Sequence, residues 1–187
     1  TYLTGGVNNE KVWIFDNGSY GYAAGEMTYA DPSTTVGWNN WSANWDPGVG
    51  HTADDAIWES TMTFGLKGGA NVTVYNSSSK ETASGTFMLN TSNHTITFTD
   101  CELLHTPSWS DRSTNWSRDL KLLELDENHM RIGVMRDNSE GPWWLIWNFV
   151  SKEYADNYVP EDKPDPEPAL PDGWEDMVSE VVTSKIK

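Results

Sequence analysis

The chain has 187 residues, with 28 acidic against 12 basic side chains, a net charge of −16, eleven tryptophans and one cysteine. That length fits one domain with a sizeable core, with room for a tail. The charge argues against nucleic acid and anionic membrane as partners. A single cysteine, Cys101, excludes an internal disulfide, and no apolar run is long enough to cross a membrane.

The predicted elements are short, closely spaced strands. KVWIFD (11–16) is a continuous apolar run, as expected of a strand buried on both faces. IWESTMTFGL (57–66) places Trp58, Met62, Phe64 and Leu66 on one face, and Ile57, Glu59, Thr61 and Thr63 on the other. NVTVY (71–75) follows a Gly-Gly turn. GTFMLNT (85–91) and HTITFTD (94–100) form a hairpin across Ser92-Asn93. DLKLLEL (119–125) and MRIGVMR (130–136) form another across residues 126–129. The alternation of the first breaks between Leu122 and Leu123, the mark of a bulge or of a strand covered on both sides. PWWLIWNFV (142–150) is apolar on both faces. We assign Trp147 to the core and Trp144 to the polar side, under a second layer, a covering segment or a ligand. Many short strands with turn clusters between them indicate an all-β sandwich or barrel.

From residue 159 the composition changes. Residues 159–173 hold five of the nine prolines among several acidic residues and read as an extended linker. Trp174, Met177, Val178, Val181 and Val182 then have the spacing of a short amphipathic helix, with Asp172 at its N-cap. The expected organisation is a domain over 1–158 and a linker plus helix over 159–187.

Five tryptophans lie in polar, turn-rich segments: Trp38, Trp41 and Trp45 in GWNNWSANW (37–45), and Trp109 and Trp116 in TPSWSDRSTNWSRD (106–119). An indole left in water forgoes about 25 cal/mol per Å² of coverable apolar surface. Either the two loops fold onto each other, or the indoles form a platform for a flat ligand with apolar faces and many hydroxyls. A pyranose fits, packing its axial C–H groups on indole while Asn40, Asp111, Arg112 and Asn115 bond its hydroxyls. The candidate ligand-binding set is Trp38, Asn40, Trp41, Trp45, Trp109, Asp111, Arg112, Asn115, Trp116 and Trp144, and the ligand a neutral polysaccharide or oligosaccharide.

Catalytic signals are weak. A glycosidase needs two carboxylates flanking the scissile bond. The nearest acidic run, Glu124-Leu125-Asp126-Glu127, ends in a hairpin turn, and Glu26, Asp31, Asp54, Asp55 and Glu59 show no strand alternation. Cys101 follows a strand without a paired histidine, and His51, His94, His105 and His129 lack metal-ligand spacing. No catalytic residue and no cofactor is assigned. Asp46, Asp54 and Asp55 leave room for a structural calcium, without the Asp-x-Asp-x-Asp pattern. Seven Asn-x-Ser/Thr sequons, at Asn17, Asn40, Asn71, Asn76, Asn90, Asn93 and Asn115, would be glycan acceptors in a eukaryotic secretory protein; an Asn/Ser/Thr-rich chain also produces them by chance.

YLTGGVNNEKVWIFD (2–16), GSYGYAAGE (18–26), the tryptophan-rich loop and the ending NFVSKEYADNYVP (148–160) resemble the C-terminal domain of Bacteroidota cell-surface glycan-binding lipoproteins of Sus-like polysaccharide-utilisation systems. The resemblance covers about residues 1–160. It implies a β-sandwich or jelly roll of concanavalin-like or laminarinase-like type, binding without catalysis, and a place on the cell surface. It also implies outer-membrane anchoring through a part not in this chain, no membrane insertion by this segment, and other polysaccharide-utilisation surface proteins as partners. The abrupt start at Thr1 agrees with a domain following a spacer. The competing expectations are a β-jelly-roll glycoside hydrolase or polysaccharide lyase, and a structural or adhesive surface module.

Overall fold

The computed structural model describes residues 1–34, 36–52 and 55–161. Among the described residues nine strands are present: β1 (Glu10–Phe15), β2 (Met27–Ala30), β3 (Thr61–Gly65), β4 (Asn71–Asn76), β5 (Glu81–Asn90), β6 (Thr95–Thr99), β7 (Leu120–Leu125), β8 (His129–Met135) and β9 (Trp144–Ser151). One helical turn and a half, α1 (Lys152–Asn157), follows β9, capped by the Ser151 side chain, which accepts from the Tyr154 N–H. Residues 162–187, including the expected helix and most of the linker, lie outside the described residues.

Strands β3 to β9 form an antiparallel meander in chain order, and β1 pairs with both β3 and β9. Eight strands therefore close into a barrel, and β2 is an extra strand on β9. This corrects the expected β-sandwich or jelly roll, and with it the concanavalin-like or laminarinase-like fold implied by the resemblance. Both architectures share inward/outward alternation along short strands. What separates them is the pairing of Trp13, Ile14 and Phe15 with Ser151, Val150 and Phe149, more than a hundred residues away, which leaves no open edge at that seam.

β1 and β2 lie along β9 as one interrupted strand. Phe15 pairs with Phe149, the Asp16 N–H donates to the Asn148 carbonyl at 2.9 Å, the Asn148 N–H donates to the Glu26 carbonyl at 2.9 Å, and Met27 pairs with Trp147. Residues 17–25 leave this line as an excursion and return to it.

The barrel interior is packed with side chains. Trp13, Phe15, Met27, Met62, Phe64, Ile96, Met130, Ile132, Trp147 and Phe149 are among its buried members. Leu3, Ile57, Leu103, Leu104 and Trp116 plug it from outside the strands. At this strand number an interior is just wide enough for such filling, so the fold makes a core rather than a ligand cup. Ile57, expected on the polar face of a long strand, instead sits in a 3₁₀ turn (Asp55–Ile57) and is fully buried. Strand β3 begins only at Thr61, and Leu66 is exposed.

Trp147 is fully buried in the interior, whereas Trp144 faces the opposite side of β9 with Ile146. The register of β7 against β8 shifts between Leu122 and Glu124, so Leu122 points inward and the bulged Leu123 outward. Leu123, Ile146 and Ala30 form a second, smaller apolar cluster on the outer wall, covered by Val36 and Trp41. Both explanations of the broken alternation hold together: the strand bulges, and it is covered on both sides.

Candidate functional site

Residues 31–34 leave β2, and residues 36–45 cross the outer wall and return to it. Their backbone is tied down at three points. The Asn39 N–H donates to the Leu123 carbonyl at 2.9 Å, the Lys121 ammonium donates to the Val36 carbonyl at 2.9 Å, and the Trp45 carbonyl accepts from the Tyr29 N–H at 2.9 Å. Asn44 closes the loop, its side-chain oxygen accepting from the Asp31 N–H at 2.7 Å.

This path separates the three tryptophans of the loop. Trp38 stacks on His94 of the β5–β6 turn, with centroids 4.6 Å apart and planes at 12°. Trp41 packs on the outer apolar cluster under the guanidinium of Arg131, which lies 4.1 Å from its ring centre. The same guanidinium lies 4.2 Å from the Tyr22 ring, so a buried cation is held between two aromatic faces. Arg131 also donates to the Tyr22 hydroxyl at 2.9 Å and to the Asn148 side-chain oxygen at 3.2 Å, and it pairs with Glu124 at 3.4 Å. Tyr22 in turn hydrogen-bonds Glu124, and burial pushes its phenol well above the ordinary range. Trp144 lies half-buried in this wall, with the Lys121 ammonium 4.8 Å over its ring. Asn40 is exposed at the loop tip.

Trp45 is different, being 53 % exposed. One indole face rests on Tyr29, with centroids 4.7 Å apart and planes at 10°. His51 meets the pair edge-on, 5.2 Å from Trp45 and 5.6 Å from Tyr29, and the Tyr29 hydroxyl lies 2.9 Å from His51 Nε2. Trp109, in the 3₁₀ segment Pro107–Arg112, lies 5.6 Å from His51 and 6.4 Å from Tyr29. The Arg112 guanidinium lies 4.9 Å over Trp109 and pairs with Asp111 at 2.7 Å. Tyr29 is largely buried, which raises its phenol pKa, and Arg136, Glu140 and Arg112 are the charges that act on it.

A buried carboxylate positions this cluster. Glu26, fully buried, accepts from the Gly50 N–H at 2.9 Å and the Thr52 N–H at 3.0 Å, which pins the segment carrying His51. The Thr52 hydroxyl continues the chain to the Thr106 hydroxyl at 2.8 Å, at the root of the Trp109 segment. Gly25 allows the approach, since a Cβ there would stand 2.6 Å from the Gly48 carbonyl oxygen. At the other side, the Asp137 carboxylate accepts from the Thr114 N–H at 2.9 Å and the Asp137 N–H donates to the Arg112 carbonyl at 3.1 Å, joining this segment to the β8–β9 turn. Arg136 of that turn pairs with Glu140 at 3.0 Å.

Of the sequence candidates, the structure brings Trp45, Trp109, Asp111 and Arg112 together at one end of the barrel. Trp41 and Trp144 belong to the outer wall, and Trp38 packs on the main apolar cluster beside His94. Trp116 is only 5 % exposed; it stacks on His105 at 3.7 Å, and its indole N–H donates to the Ser110 and Ser113 carbonyls. The Asn115 amide is spent on its own turn, donating to the Arg118 carbonyl and accepting from the Ser117 and Arg118 N–H groups. Tyr29 and His51 were not among the candidates. The signal for Tyr29 was the Met27/Tyr29 alternation in MTYA, too short to stand out; His51 carried none.

Four of the acidic candidates, Glu26, Asp31, Glu124 and Asp126, have structural partners. Besides Glu26 and Glu124, Asp31 accepts from the Ser33 N–H at 2.8 Å, and Asp126 accepts from the Asn128 and His129 N–H groups. Among the described residues no three His, Cys, Asp or Glu side chains are grouped to hold a metal ion. Asp54, one of the calcium candidates, lies outside them. No protein-family model matches the chain, and no curated protein matches it significantly.

Proposed function

We propose that this chain is a non-catalytic carbohydrate-binding domain for a neutral polysaccharide or oligosaccharide, with its site at the Trp45–Trp109 end of the barrel. The observation that carries the reading is Trp45. A large indole lies more than half in water, yet it is held flat and rigid against Tyr29. Holding an apolar face ready costs stability unless a ligand covers it, and a pre-oriented aromatic loses little entropy on binding. Covering the remaining indole surface contributes roughly 2–3 kcal/mol. Polar groups for hydroxyls stand at the rim in two ion pairs, Asp111–Arg112 and Glu140–Arg136. A neutral ligand also meets no repulsion from a net charge of −16.

The proposed setting is the surface of a Bacteroidota cell. There the domain would form part of an outer-membrane lipoprotein anchored outside this chain and work beside other polysaccharide-utilisation proteins. The resemblance of residues 2–26 and 148–160 supports that setting. Affinity gel electrophoresis against neutral and acidic polysaccharides, paired with a reducing-end assay on the same samples, tests the reading. Retardation by a neutral glycan without new reducing ends, abolished by Trp45→Ala, is expected. New reducing ends would make the chain an enzyme, and no retardation by any glycan would make it an adhesive or structural module.

A further inference from the structure

Among the described residues, Lys11 lies over Trp13, Arg112 over Trp109, Lys121 over Trp144, and Arg131 between Tyr22 and Trp41. One group of aromatic rings has no such cation among them. Tyr20, in the excursion over residues 17–25, meets Tyr154 of α1 and Tyr158 at the C-cap of that helix. The three ring centres form a nearly equilateral triangle: 5.7 Å from Tyr20 to Tyr158, 5.6 Å from Tyr154 to Tyr158 and 6.4 Å from Tyr20 to Tyr154. The planes of these pairs are inclined at 89°, 60° and 58°. Stacked rings, such as Trp45 on Tyr29 at 10°, hide their faces from each other. Rings inclined this steeply can turn their faces toward one point. A point roughly 4 Å above the middle of such a triangle lies within about 6 Å of all three centres, the reach of a cation–π contact.

All three tyrosines are only partly buried, and together with Val159, Pro160 and Glu161 they line one open cavity of about 700 Å³. No basic side chain lines it among the described residues, and Lys152 of α1 is committed to Asp156 at 2.7 Å. The local field is negative. Burial raises the Tyr20 phenol pKa, and the Asp16 and Asp156 carboxylates raise it further. A net charge of −16 adds to the attraction for cations. The frame is also fixed before any ligand arrives. Gly21 has φ of +69°, and a Cβ there would stand 2.9 Å from the Tyr158 hydroxyl oxygen, so glycine permits that approach. The Tyr154 hydroxyl donates to the Tyr20 carbonyl at 3.3 Å, and the Tyr154 ring packs edge-on against His129 at 5.1 Å. Aromatic and aliphatic carbon with one carboxylate suits a cation that carries methyl groups in place of N–H donors, since such a cation leaves no donor unpaired on entering.

We infer that the Tyr20–Tyr154–Tyr158 cavity binds the trimethylammonium group of a quaternary ammonium compound, free in solution or as the headgroup of a lipid. The site shares no residue with the Trp45 cluster and does not depend on the carbohydrate-binding reading. Calorimetric titration of the full chain with choline and with 3,3-dimethylbutanol, the uncharged isostere in which carbon replaces nitrogen, tests it. Choline is expected to bind at least tenfold more tightly than the isostere. Its affinity should fall tenfold or more with Tyr20→Leu and Tyr158→Leu, and largely survive Tyr20→Phe, which keeps the ring. Sedimentation with phosphatidylcholine vesicles then separates the two sources. Co-sedimentation that free choline competes away assigns the headgroup, and choline binding without co-sedimentation assigns the free compound. Equal affinity for choline and the isostere would mean apolar filling of the cavity and would overturn the inference. So would the absence of choline binding, or binding that both leucine variants leave intact. The comparison of choline with its isostere is made on the wild-type chain, so it decides the matter whether or not the leucine variants fold.

Discussion

Arg131 lies face-on over Trp41, 4.1 Å from the ring centre, and this contact fastens the tryptophan-rich loop to the barrel wall. The cation is buried, so it depends on its partners: Tyr22 on its other face, Asn148 and Glu124. Removing it leaves Glu124 without its counter-charge and both rings without their filling. Arg131→Ala is expected to cost roughly 3 kcal/mol, the range for breaking a buried pair. Trp41→Ala, at a half-buried indole, is expected to cost roughly 2 kcal/mol, less than a core tryptophan. Arg131→Lys keeps the charge but not the planar face and should recover only part of the loss. Urea unfolding of the three variants checks the order.

Trp45 is expected to behave in the opposite way. With half its surface in water and its other face on one ring, Trp45→Ala should lower stability by roughly 1 kcal/mol or less, while glycan affinity falls tenfold or more. Trp45→Phe keeps a flat face and should retain part of the affinity. Unfolding curves and affinity electrophoresis on the same preparations separate the effects. Equal losses of stability and binding would show that Trp45, like Trp41, holds the loop rather than the ligand.

Much of the barrel wall was legible in the chain. The inward set Leu145, Trp147 and Phe149 and the outward set Trp144, Ile146 and Asn148 follow from alternation alone, and the bulge at Leu123 follows from its break. Closure was not legible, because it is a property of pairing between β1 and β9, and the pattern of either strand is the same whether or not its edge finds a partner. The loop tryptophans share one composition, yet they divide among wall, mouth and interior according to which wall each segment crosses. Local sequence does not encode that division. Tyr29 and His51 were hidden for the same reason: one lies in a four-residue strand, and the other matters only through the buried Glu26.

Glu26 provides a test of how the mouth is built. Its carboxylate satisfies two backbone N–H groups and the Thr52 hydroxyl inside the protein. Glu26→Ala orphans those donors and leaves a void, and roughly 2–4 kcal/mol of stability should go with them. Glu26→Gln turns one acceptor oxygen into a donor facing an N–H, so it should be intermediate rather than silent. Because the pinned segment carries His51, both variants should weaken glycan binding without touching the ligand. Amide hydrogen exchange should show faster exchange at residues 48–52 before global unfolding, and unchanged protection there would rule out the pinning role.

His105 sets an acid limit on the fold. Its Nδ1–H donates to the Leu103 carbonyl at 2.6 Å, so Nε2 accepts from the Ser110 hydroxyl at 2.8 Å, and Trp116 covers the ring. The buried imidazole is therefore held neutral, and burial lowers its pKa from 6.5 to about 4. In the unfolded chain the ring takes up a proton near pH 6.5, whereas the folded chain resists until about pH 4. Across that window the unfolded state binds more protons, so stability falls as pH falls, by roughly 3 kcal/mol in all. Asp16 acts with the opposite sign. Burial raises its pKa above 3.8, so the fold gains from its protonation as pH falls through the folded-state value. The difference between the wild type and His105→Asn isolates the imidazole. Wild-type stability measured by urea unfolding from pH 7.5 to pH 4.5 should decline relative to the variant, whatever the variant's own stability at pH 7.5. Parallel profiles for the two proteins would mean that His105 accepts its proton in the folded chain, and that the Leu103 and Ser110 contacts do not hold it neutral.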